Sequence, residues 1–177
     1  MTKIRAALTV ALIMLLMMVA QKRPSAQTSD RGGAGSDPPA HDVHSQMNYR
    51  GEAGMGFSQT ETTHHFLLKP NGGVIQVEVN KPSDTADREH IRMHLRHITQ
   101  AFAAGDFDIP MFVHDTTPPG VREMKRLRAK IHYSFEDTPA GGRVVIATAD
   151  KECVAAIHAF LRFQIREHKT GDPTADP

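Results

Sequence analysis

The chain has 177 residues, with 21 basic and 20 acidic side chains, 40% hydrophobic residues and a single cysteine. Four of the basic residues (Lys3, Arg5, Lys22, Arg23) and none of the acidic ones fall in residues 1–27, so the rest keeps 17 basic against 20 acidic groups, a net charge of −3. That balance leaves no basic excess to hold a polyanion, which sets nucleic acid aside, and one cysteine excludes an internal disulfide.

Residues 1–27 read as a secretion signal. Lys3 and Arg5 give a basic start, Ala6 to Ala20 is an unbroken apolar run, and Pro24-Ser25-Ala26 supplies small residues for an exit. The run is shorter than the roughly 20 apolar residues that a spanning helix needs, so the expectation is a removable signal, cut between Ala20 and Gln27, with no membrane span left after its removal. The location expected is the periplasm or the outside of the cell. Residues 28–56 are rich in Gly, Ser, Asp, Pro and Gln, with almost no large apolar residue. Such a composition reads as a disordered linker, and His41 and His44 within it as solvated.

The folded part is a single α+β domain over 57–169, followed by a flexible tail over 170–177. Strand one is expected over 62–68, and Lys69-Pro70-Asn71-Gly72-Gly73 is a hairpin turn. Strand two runs over 74–79, where Ile75, Val77 and Val79 alternate with Gln76 and Glu78. A helix over 87–103 follows, with Ser83, Asp84 and Thr85 as capping residues and Gly105 as its end. Ile109-Pro110-Met111-Phe112-Val113 reads as a loop with an apolar patch, and a short helix is expected over 121–129. A third strand over 131–136, a turn at Thr138-Pro139-Ala140-Gly141-Gly142, a fourth strand over 143–149 and a last helix over 151–168 complete the domain.

The halves read as a duplicated strand-strand-helix unit. Phe66 precedes Gly72-Gly73 by the same distance that Phe135 precedes Gly141-Gly142; Ile75 and Val77 match Val144 and Ile146; Ile91 and Leu95-Arg96 match Ile157 and Leu161-Arg162. The architecture implied is a four-stranded antiparallel sheet with two long helices on one face.

On the first long helix Ile91, Leu95, Ile98 and Phe102 make the core stripe. His90, His94 and His97 make a second stripe, about 90° around the helix. Its counterparts on the last helix are the apolar Ala156, Phe160 and Phe163, which implies that this flank is partly buried. Strand parity puts His64 on the face of Phe66 and Leu68, toward that stripe. A helical i, i+4 pair with a strand histidine can converge imidazoles on one ion, and Met93, Met111 and His114 can add soft or further nitrogen ligands. The metal candidates are therefore His64, His90, His94, His97, His114 and Met111. Histidine with methionine and no thiolate favours copper among transition metals. Haem ligation fits the same residues, without a Cys-x-x-Cys-His for covalent attachment. A domain that holds no metal or cofactor stands as the alternative. His132, His158 and His168 look isolated, and Cys153 opens an apolar helix face as a buried small hydrophobe.

Signals for catalysis are weak. There is no P-loop, Gly-x-Ser-x-Gly or Rossmann fingerprint, and His90-Ile91-Arg92-Met93-His94 lacks the Glu that follows the first His of a zinc protease. His114-Asp115 has the residue types for general-base work, but no nucleophile is placed with them. The basic run Arg122, Lys125, Arg126, Arg128 and Lys130 reads as a solvated helix face.

Met55-Gly56-Phe57, Thr62-Thr63-His64-His65-Phe66, His94-Leu95-Arg96-His97-Ile98 and Phe160-Leu161-Arg162-Phe163-Gln164-Ile165-Arg166-Glu167-His168 with Thr170-Gly171-Asp172-Pro173 together resemble a family of small exported bacterial proteins, over most of residues 54–173. The resemblance implies an exported protein and no established activity. Some members of that family are described as aspartate carbamoyltransferases. The Ser-Thr-Arg-Thr signature for carbamoyl phosphate is absent here, and the domain is too short for the two α/β domains of that enzyme.

Two readings of function follow. One is an exported binder of a transition metal, copper favoured, or of haem, through the histidine cluster. The other is a ligand-free interaction module whose open sheet face, or loop 103–120, meets another envelope protein. The second predicts scattered histidines and an exposed apolar patch over 109–113.

Overall fold

The computed structural model describes residues 40–177, with side chains from Ser45 onward. The expected signal (1–27) and the first part of the expected linker (28–39) lie outside the described residues. The elements in chain order are α1 (Ala40–Met55), β1 (Thr62–Lys69), β2 (Gly72–Val79), α2 (Thr85–Ala104), α3 (Asp108–His114), α4 (Val121–Arg126), a 3₁₀ turn (Arg128–Lys130), β3 (His132–Thr138), β4 (Gly141–Ala147) and α5 (Lys151–His168). Among the described residues no helix is long and apolar enough to cross a membrane.

The four strands form one antiparallel sheet in the order β1-β2-β4-β3. The two hairpins share one register: His64 pairs with Val77 and Phe66 with Ile75 in the first, as Tyr133 pairs with Ile146 and Phe135 with Val144 in the second. Period-2 alternation puts Phe66, Leu68, Ile75, Val77, Tyr133, Val144 and Ile146 on one face, all buried. Onto that face pack Ile91, Leu95, Ile98 and Phe102 of α2 and Ile157, Phe160, Leu161 and Ile165 of α5. Each helix covers the other half's hairpin, α2 lying mainly over β4 and β3 and α5 over β1 and β2.

Local chemistry sets where the long helices begin and end. Asp84 accepts from the Asp87 N–H at the start of α2, and Asp150 accepts from the Glu152 and Cys153 N–H groups at the start of α5. Gly105, with φ 82°, closes α2 in the left-handed region. Gly73 serves a different purpose: a Cβ there would lie 2.2 Å from Leu161 Cδ1, so the missing side chain lets α5 settle on β2. Each hairpin turn is held from the helix above it. The His158 Nε2–H points at Lys69 O and Gly72 O, both at 3.0 Å. Arg92 donates from Nε to Gly141 O at 3.0 Å and from its guanidinium to Thr138 O at 2.9 Å. His158 is therefore a structural residue of the first hairpin, not an isolated one.

Two segments differ from expectation. The second half of the expected linker is helix α1. It carries few apolar residues, and its contacts hold it in place: Met47 is buried, Arg50 Nε donates to Val113 O at 3.0 Å, and Gly51 leaves the space that the Gln59 side chain occupies. A helix held this way leaves no hydrophobic stripe to read. The expected loop over 109–113 is α3. Pro110 sits in its first turn, where a missing N–H breaks no helical bond, and Asp106 Oδ1 accepts from the Asp108 N–H at 2.8 Å. Pro110 and Val113 are buried and Ile109 is partly so, which leaves Phe112 as the exposed part of the patch, at 53%. Beyond α5, the Asp172 carboxylate accepts from the Phe66 N–H at 2.9 Å and pairs with His65 Nδ1 at 2.9 Å, capping the outer edge of β1.

Candidate functional site

A cavity of about 70 Å³ lies between the sheet, α2, α3 and the end of α5. Its floor is core: Phe66, Ile75, Val77, Leu95 and Phe160. Its other wall carries His64, His94, His114, His168, Gln164 and Met55. The strand's alternation turns His64 inward, and α2's second stripe contributes His94 alone. α3 ends at His114, where Asp115 (φ 51°) caps the helix, and α5 ends at His168, capped by Lys169 (φ 52°).

The rings form a continuous set. His64 stacks on His168 with centroids 5.6 Å apart and planes at 10°, and His168 meets His114 edge to face at 5.1 Å. Phe57 stacks on His64 at 6.1 Å and meets His94 edge to face at 5.6 Å, so one phenyl ring spaces the two imidazoles.

Burial favours the neutral form of three of these imidazoles, His64, His94 and His114. Burial drives the pKa of His64 down to about 4, with help from neighbouring His65. Burial also takes His94 to about 4, with further repulsion from His64 and His97. His114 is lowered mainly by burial, against a bond to Gln164 that favours its charge. That bond joins His114 Nε2 to Gln164 Oε1 at 2.9 Å. A carbonyl oxygen can only accept, so Nε2 carries the proton and His114 Nδ1 presents a lone pair. Seven buried side-chain nitrogens and oxygens among the described residues lack a hydrogen-bond partner, and three of them, His64 Nε2, His114 Nδ1 and Gln164 Nε2, belong to residues of this one cavity. Buried polar groups are nearly always satisfied, by protein, water or an ion, so these three atoms have room for a polar partner.

The sequence candidates divide. His64, His94 and His114 come together in the cavity. His90 and His97 are exposed on the outer side of α2, in a shallow pocket with Met93, and the partial burial expected of that whole stripe holds for His94 only. Met111 is half-buried on α3 and does not line the cavity. Sequence reading missed His168, Gln164 and Met55. Phe160, Gln164 and His168 follow one another at spacing four, a stripe that continues the flank matched to His94 and that could have drawn attention to them. No group of three or more His, Cys, Asp or Glu side chains among the described residues is arranged to hold a metal ion.

No family model, curated protein or solved structure matches this chain. Function must therefore be argued from the cavity. It offers neutral nitrogen donors in an apolar shell beside a thioether. A fixed Gln164–His114 bond of this kind orients an imidazole for a ligand at its other nitrogen.

Proposed function

We propose that this is an exported protein that binds a transition-metal ion, copper favoured, in the imidazole cavity, with His64 and His114 as nitrogen donors, His94 and His168 beside them and Met55 as the nearby thioether. The observation that carries the reading is that two unpartnered, buried imidazole nitrogens, His64 Nε2 and His114 Nδ1, belong to residues that line one cavity. Both rings favour the neutral form that a metal requires. Two nitrogens with a thioether make a low-coordinate, partly soft donor set, which suits Cu(I) and is unlike the four-ligand closed site of structural zinc. The volume of about 70 Å³ also favours an ion over haem, since pockets for larger organic ligands run to roughly 300–1,000 Å³. The role that follows is buffering or delivery of copper outside the cytoplasm. The rival interaction module is less well supported, because Phe112 alone of the apolar patch it needs is exposed, Pro110 and Val113 being buried and Ile109 and Met111 partly so.

The test is metal content and Cu(I) titration of protein purified from the periplasm without a histidine tag, beside His64→Phe and His114→Leu. The expected outcome is one copper per chain, with affinity reduced about 10- to 100-fold or more in each variant. Protein that comes out metal-free and ignores added Cu(I), Cu(II) and Zn(II) would refute the reading.

A further inference from the structure

Outside the cavity, on the solvent side of α2, lies a second pocket lined by Met55, Gly56, His90, Met93, His94 and His97. Met55 and His94 belong to both pockets, so the two share a wall. The outer residues are of the same chemical types as the inner ones, imidazole and thioether, but they are open to water. Met93 is 58% exposed, one of three large hydrophobic side chains so exposed among the described residues. His90 and His97 are exposed as well. A single exposed methionine is ordinary on a protein surface. Its place between two histidines on one helix face gives it a use as a soft ligand.

We propose that the outer pocket is a capture site for Cu(I), and that Met55 and His94 pass the ion from it to the inner cavity. This rests on the proposed function above. Spacing on the helix supports the assignment: His90, Met93 and His97 succeed one another at i, i+3 and i+7, one face of α2, with His94 one position around toward the cavity. Each step exchanges one neutral donor for another. Copper stays Cu(I), no electron moves, and a thioether or imidazole is released as the next one binds. The inner donors are the more desolvated, which holds the ion once it has arrived, while the outer donors meet copper complexes in solution.

The experiment measures Cu(I) transfer from its bicinchoninate complex by stopped-flow absorbance, and equilibrium affinity by competition with the same chelator. Wild-type protein is compared with the surface variant His90→Ala/Met93→Leu/His97→Ala, whose folding is checked by circular dichroism. The expected result is uptake slowed about ten-fold with affinity unchanged within about two-fold, a loss confined to the rate. Unchanged uptake in the variant would overturn the capture site while leaving the inner site standing. An affinity loss as large as the rate loss would also overturn it, by making the outer side chains ligands of the resting ion. Wild-type protein that takes up no Cu(I) would refute the inner site itself, a result distinct from either.

Discussion

The two strand-strand-helix halves use the same solution for folding and opposite solutions for the flank of the helix. Arg92 and His158 stand at matched positions, one after Ile91 and the other after Ile157, and each binds the carbonyls of the hairpin turn beneath its helix. His94 and Phe160 are also matched, and both line the cavity. There one half presents an imidazole and the other a phenyl ring. His64 and Tyr133 occupy the same position in the shared hairpin register, and both are inside. The second half fills the corresponding places with Phe160 and Tyr133, both buried. If the halves are a duplication, the imidazoles of the first half stand where the second half carries aromatic rings, and departures of that kind gather at functional sites.

The largest effect expected from that departure is on stability against pH. In metal-free protein His64 and His94 titrate near 4 when folded, against about 6.5 in the unfolded chain. The unfolded state thus binds more protons between those limits. The stability these rings contribute is complete above about pH 6.5 and is lost as pH falls toward 4. At pH 4.5 the loss is about 2–3 kcal/mol for each ring, less than additive because the two rings interact. Urea unfolding at pH 7.5 and 4.5 measures it, and His64→Phe/His94→Phe removes most of it. A flat profile over this range would mean that the imidazoles are solvated and the comparison between halves is empty.

The shared clamps come next. His158 is buried and bridges two carbonyls, so His158→Ala removes that shared donor and opens a void, a loss of about 2–3 kcal/mol. Arg92 is partly exposed, so water can reach the carbonyls it leaves, and Arg92→Ala loses about 1–2 kcal/mol. Thermal denaturation ranks the two. Equal and negligible losses would show that the turns hold themselves, leaving the helices no part in setting hairpin geometry.

What the sequence disclosed follows the same division. Strands, long helices, capping residues and the core stripe of α2 were legible because alternation, helical spacing and Asp or Gly at the ends each leave a local mark. The arrangement of α2 over the second hairpin and α5 over the first left no such mark, because it is a property of chain path. α1 was hidden by its polar composition, and α3 by a proline that reads as a breaker anywhere except in a first turn. At the site, His64 and His94 were found by parity and by the matched halves. His90 and His97 share a stripe with His94, but the cavity reaches only its middle position. His168 was passed over because it stands at the end of α5, and its neighbours His64 and His114 come from β1 and α3.

The smallest effect gives the sharpest test of the comparison. His94→Phe installs on α2 the residue that α5 already carries at the matched position. The substitution removes a partly buried polar ring whose pKa is lowered to about 4, mainly by desolvation, and replaces it with an apolar ring of similar size, beside Phe57. If the fold alone governs the position, the variant gains about 1 kcal/mol at neutral pH, since a partly buried polar group gives way to a packed apolar one. Chemical denaturation measures that gain, and Cu(I) competition on the same sample measures what is given up for it. A more stable protein that binds Cu(I) more weakly is the expected pairing, the usual relation between a site and its scaffold. A destabilised variant would show instead that His94 makes a structural contact that Phe cannot supply, and the second half would then be no guide to what the first half needs.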